Sequence, residues 1–101
     1  MVDRPRYKIK LHKQVITQDS RQFDPPTKEK IKAKIIDLLS HEPEKVGEPL
    51  RYDLKEYRKL KIFNAYRIIY KVLKKEVLVF ILAVGIRRDA QVYSEALKRL
   101  Q

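Results

Sequence analysis

The sequence predicts a small α+β protein of one domain, from a change of pattern along the chain and from its bulk composition. The first half holds apolar residues at helical spacing, whereas residues 51–86 are dominated by aliphatic and aromatic runs bounded by polar turns. A chain of 101 residues, 44% hydrophobic and 37% charged, is near the commonest domain size and apolar enough for one modest core. The expected order is a strand, two helices, three or four mostly antiparallel strands and a short C-terminal helix, all in a single domain over residues 1–101.

Each element has its own signal. "YKIKL" (7–11) alternates cation and apolar residue after Tyr7, the period of a half-buried strand. A short helix is expected from about Lys13 to Arg21. Pro25 and Pro26 should stop what precedes them, with Thr27 as N-cap of a helix running to about Ser40. Ile31, Ile35, Leu38 and Leu39 share one face of that helix, and Lys28, Lys30, Lys32 and Lys34 lie mostly on the other. "HEPEKVGEPL" (41–50) reads as a loop, marked by Pro43, Gly47 and Pro49.

Beyond the loop, "RYDLKEYRKLKI" reads as one or two strands, "YRIIYKVL" as another and "KEVLVFILAVG" as the last. The near-continuous apolar character of the last two implies central strands covered on both faces, joined by a turn around Lys74 and Lys75. Tyr57, Phe63, Tyr66 and Tyr70 read most simply as sheet or core aromatics. "RDAQVYSEALKRL" is helix-like, with Val92, Ala96, Leu97 and Leu100 able to face inward.

Charge gives the first functional clue. The net charge is +11, and residues 51–101 hold 13 Lys/Arg against 5 Asp/Glu, whereas residues 1–50 hold 11 against 8. Between Lys55 and Lys75 eight cations face only Glu56. Such a surplus points to a polyanionic partner, most often nucleic acid, although a solvated basic surface would look the same. No apolar run approaches the roughly 20 residues of a bilayer span, and the N-terminus lacks the apolar segment of a signal peptide. With no cysteine, disulfides and thiolate chemistry are excluded. The expectation is a cytoplasmic protein without a membrane partner.

The familiar catalytic signatures are absent. There is no glycine-rich phosphate loop, no glycine-flanked serine, and neither His12 nor His41 has metal-ligand spacing. Chemistry would have to come from Lys, Arg and Tyr, a set suited to phosphate. Lys59 and Lys61 are two apart and would share a strand face, Arg67 opens the next strand, Arg87 follows the last strand and Tyr93 stands early in the final helix. Crowding among cations disfavours a lysine's charged form, so one could serve as a base near neutrality. Guanidinium groups can hold phosphate in bidentate fashion and stabilise the charge of a five-coordinate phosphorus. A tyrosine could move a proton or stack on a base. Together these could drive an RNA 2′-hydroxyl onto its neighbouring phosphate with no metal and no cofactor. From residue type alone Lys59, Lys61 and Arg67 are phosphate binders first and catalysts second.

The run "YRIIYKVLKKEVLVFILAVGIRRDAQVYSEALKRL" resembles the C-terminal half of the RelE toxins, the messenger-RNA-cleaving members of the RelE/ParE superfamily. The matching features are "YR" followed by two apolar residues and Tyr70, the "VG" ending the last strand, Arg87 and Tyr93. The loop "HEPEKVGEPL" is similar to the family's loop between helix and sheet. The likeness covers about residues 50–100 and is looser over 7–45. It implies a β-α-α-β-β-β fold with a variable terminal helix. It also implies cleavage of messenger RNA in the A site of the small ribosomal subunit and neutralisation by a cognate antitoxin that masks the basic face. The toxin would be monomeric without its antitoxin.

Carried onto this sequence, the family's two strand lysines fall on Lys59 and Lys61, its arginines on Arg67 and Arg87, and its late tyrosine on Tyr93. That match makes the turn "FNA" one residue shorter than in the family. A gap-free match would put the basic positions on Arg58 and Leu60, so Arg58 is the alternative first cation. Arg58, Arg88 and Lys55 are the expected further RNA contacts. Two other functions compete: a ParE-like gyrase poison sharing the fold, and a noncatalytic RNA- or ribosome-binding module. Arg87 together with Tyr93 favours the nuclease.

Overall fold

A computed structural model describes residues 6–100 of the chain, so residues 1–5 and 101 of the expected domain lie outside the described residues. Strand β1 (Lys8–Leu11) leads into the single helical turn α1 (Lys13–Thr17) and a 3-10 segment at Asp19–Gln22. Helix α2 (Pro25–Leu39) follows, then a loop with a two-residue strand β2 (Glu48–Pro49). Strands β3 (Tyr57–Ile62), β4 (Tyr66–Leu73) and β5 (Leu78–Ile86) come next, and α3 (Asp89–Arg99) closes the chain. No helix among the described residues is long and apolar enough to cross a membrane.

The strands form one sheet in the order β1-β5-β4-β3-β2, with β1 parallel to β5 and every other pair antiparallel. Both faces are covered, which accounts for the unbroken apolar runs of β4 and β5. On one face, Val15 of α1 and Ile31, Ile35 and Leu39 of α2 pack on Leu60, Ile62, Ile68, Tyr70, Val79, Ile81 and Val84. On the other, Val92 and Ala96 of α3 pack on Tyr57, Ile69, Leu82 and Ala83. A register shift after Ile69 lets β5 turn both Leu82 and Ala83 toward α3.

The prolines act differently from the expectation. Asp24, not Thr27, is the N-cap of α2: its Oδ1 accepts from the Thr27 N–H at 3.0 Å, and Pro25 and Pro26 form the first helical positions. Proline fits there because those N–H groups have no partner within the helix. The expected first helix is shorter, ending at Thr17, and His12 caps it by accepting from the Gln14 N–H. Residues 52–54 form a 3-10 turn rather than strand, while the expected loop supplies β2. At the other end Leu100 is exposed, and Arg99 is buried in its place.

Two polar networks fasten the loops. The buried Tyr70 hydroxyl donates to the carbonyls of Val46 (2.6 Å) and Pro43 (2.8 Å), pinning the loop after α2 to the sheet. Gly47 lies there with φ +72°, and a Cβ would stand 2.8 Å from both the Tyr70 hydroxyl and the Lys59 carbonyl. Only glycine meets both demands. Across the molecule Arg99 makes a two-pronged ion pair with Asp19 at 2.6 and 2.7 Å and donates to the Leu82 carbonyl. Asp19 also accepts from the Val84 N–H at 2.8 Å. That pair locks α3 to β5 and to the 3-10 segment.

Candidate functional site

Alternation along β3 decides which side chains meet. Tyr57 packs under α3, so Lys59 and Lys61 share its face of the sheet. Pairing sets Lys61 directly opposite Arg67, and Arg67 opposite Gly85. Like charges directly opposite on neighbouring strands are destabilising. The nearby anion is Asp89, the first residue of α3. Its Oδ1 accepts from Arg67 Nε at 2.6 Å, and its Oδ2 from Lys59 Nζ at 2.9 Å. Gly85 permits this closeness, since a Cβ there would lie 2.1 Å from Val92 Cγ2. Without a side chain at Gly85, α3 settles onto the sheet and brings its first turn over Arg67.

The hydrogen bond from Lys59, then that from Arg67, holds the Asp89 carboxyl below its ordinary value. A carboxyl depressed in this way stays ionised at neutral pH, and its pairing is lost only as pH falls through the depressed value. Lys59→Met should therefore move the Asp89 titration back up toward the ordinary carboxyl range. Carbon-13 NMR of the carboxyl would read the change, and an identical titration in both proteins would mean that the pair is absent in solution.

The other candidates divide by position. Arg87 directly follows β5, in the left-handed region at φ 34°. Its N–H donates to the Ala65 carbonyl at 2.7 Å, which ties it to the β3–β4 turn. Its side chain is exposed two residues beyond Gly85, the partner of Arg67. Such a conformation in a residue other than glycine costs energy and is commonest at functional sites. Tyr93 lies one helical turn after Asp89, half-buried, with its hydroxyl donating to the Arg51 carbonyl at 3.1 Å. Lys61 and Arg88 are exposed.

Two candidates are not gathered into this group. Lys55 is exposed ahead of β3, at the end away from Lys61 and Arg67. Arg58 points to the opposite face, where Nε donates to the Val46 carbonyl (3.1 Å) and Nη2 to the Gly47 carbonyl (2.9 Å). Its guanidinium braces the loop instead of joining the cation group. Because Leu60 is buried against α2, the strand's register puts Lys59 and Lys61 together on the opposite face. Asp89 itself was not legible as a site residue: nothing in "GIRRDAQ" separates it from an ordinary acid in a first helical turn.

A sheet face that clasps the Asp89 carboxylate between a lysine and an arginine, with further cations beside it, presents an oxyanion-holding donor set on a small α+β fold. Residues 9–91 match the family described as ParE toxin of type II toxin–antitoxin system, parDE. The chain belongs to that family and is a toxin of the RelE/ParE superfamily. It is 33% identical over 81 residues to the mRNA interferase toxin RelE of Escherichia coli K12, covering 79% of this chain and 83% of the relative. Among solved structures, it superposes on the RelBE2 toxin–antitoxin complex of Mycobacterium tuberculosis with a TM-score of 0.72 and 25% identity, over 84% of this chain and 95% of that one. The free form of a doubly substituted E. coli toxin RelE gives 0.71 at 28% identity, over 95% and 99%.

Proposed function

We propose that this toxin is a ribosome-dependent endoribonuclease that cuts messenger RNA in the A site, acts in the cytoplasm and is neutralised by a cognate antitoxin. The observation that carries this reading is the gathering of Lys59, Lys61 and Arg67 on one sheet face, where Lys59 and Arg67 hold the Asp89 carboxylate. In the proposed reaction the 2′-oxygen of one nucleotide attacks its own 3′ phosphate, and the bond from phosphorus to the next 5′-oxygen breaks. Lys61, exposed and without an ion pair among the described residues, takes the 2′-hydroxyl proton. Lys59 and Arg67 hold the non-bridging oxygens as charge builds on them. Tyr93 returns a proton to the leaving 5′-oxygen or stacks on a flanking base, and Arg87 adds a contact to the phosphate chain. The products are a cyclic 2′,3′-phosphate and a 5′-hydroxyl. This scheme calls on no metal or cofactor.

The basic face would dock on RNA, and the antitoxin would cover it; a structure of E. coli toxin RelE in complex with an antitoxin peptide supports the antitoxin partner. A single 2′-deoxy substitution at the cleaved position of an A-site codon should stop cleavage without preventing binding. Cleavage of that substituted message would rule out attack by the 2′-oxygen. The match to the ParE family supports a second reading, a gyrase poison. Loss of supercoiling by purified gyrase at equimolar toxin, with no RNA cleavage, would favour it.

A further inference from the structure

We propose that Asp89 is an internal stand-in for RNA phosphate, closing the Lys59–Arg67 site of the free toxin until the phosphodiester backbone of an RNA strand displaces it. This rests on the ribonuclease reading of that face. The geometry is that of a bound phosphodiester: two oxygens of one anion, one on Arg67 Nε at 2.6 Å and the other on Lys59 Nζ at 2.9 Å. The layering also fits departure. The side chains of Arg67 and Lys59 are 9% and 22% exposed, whereas that of Asp89 is 49% exposed and lies outermost. Rotation about its own side-chain bonds would carry the carboxylate into water while α3 stays docked through Val92 and Ala96.

Such an arrangement selects by number of contacts. A phosphodiester and the Asp89 carboxylate each carry one negative charge, so exchanging one for the other at two cations gains little. An isolated phosphate group therefore competes poorly. An RNA strand adds contacts at Lys61 and Arg87, both exposed and outside the Asp89 pair, and those tip the exchange. When a binding-competent state is only fractionally open, apparent affinity falls by that fraction. A site open about one-tenth of the time would weaken phosphate binding about tenfold. Asp89 would thus keep stray anions out and reserve the site for a strand already held along its backbone.

The alternative is that Asp89 only positions the two cations, and the two cases predict opposite signs. Inorganic phosphate titrated against the labelled protein, followed at the Arg67 Nε–H and Asp89 amide resonances by NMR, separates them. Asp89→Asn should bind phosphate about tenfold more tightly than wild type, and Asp89→Glu should stay close to wild type. Glu76→Gln, an equal charge change at an exposed turn, should shift affinity less than twofold. Asp89→Asn binding no better than Glu76→Gln, or more weakly than wild type, would overturn the assignment. A non-cleavable single-stranded RNA is titrated in parallel. If the phosphate results hold while that RNA does not bind and no messenger RNA is cut in a translating extract, the ribonuclease reading fails and the role of Asp89 as an anion stand-in remains.

Discussion

Arg67→Ala should lower the rate of messenger-RNA cleavage by about 10²–10³-fold, the usual loss when one fixed donor to a developing oxyanion is removed. Arg67 is the best-held cation of the face, buried along its stem and paired with Asp89. Its replacement leaves no buried charge behind, because Asp89 is half exposed. The variant should therefore fold, and the loss should appear in single-turnover cleavage rather than in melting. Arg67→Lys should recover only part of the rate, since an ammonium cannot reproduce the planar donor fork. A rate within about threefold of wild type would remove Arg67 from the catalytic group.

The largest effect on stability is expected far from that face. Arg99→Ala should cost about 3–5 kcal/mol, the range for breaking a buried ion pair by removing one partner. Asp19 would be left nearly excluded from water without its guanidinium partner, with side-chain exposures in the pair of 1% and 6%. Against a total of about 5–15 kcal/mol for a domain of this kind, that is a large fraction. Urea denaturation would read it as a lower midpoint with little change in slope. Replacing both partners with apolar residues should recover only part, because the Val84 N–H would still lose its acceptor. Arg99→Ala should also lose cleavage, since α3 carries Tyr93 into place.

What the sequence made legible follows the range of the interactions involved. Strand periodicity and apolar runs identified β3, β4 and β5, and helical spacing identified α2 and α3, because those patterns are local. Alternation alone placed Lys59 and Lys61 on one face, and the pairing to Arg67 required only that consecutive strands be neighbours. Less was visible where distant residues meet. Nothing local marks Arg99 as buried, because its partner lies 80 residues away. For the same reason Leu100 was expected to face inward. Asp89 contacts Lys59 and Arg67 across 30 and 22 residues, so its place between them depends on how α3 lies on the sheet. Arg58 shows the converse: a cation within the basic run whose side chain is spent on two loop carbonyls.

The most direct measurement maps messenger-RNA 5′ ends by primer extension in a translating extract, comparing wild type, Lys61→Ala and Tyr93→Phe. Lys61 is exposed and Tyr93 keeps its ring, so both variants should fold as the wild type does. The expected result is a set of new in-frame ends that depend on active translation and are lost or strongly reduced in both variants. A folded wild type that produces no such ends, or variants that cut as fast as wild type, would contradict a nuclease site on this sheet face.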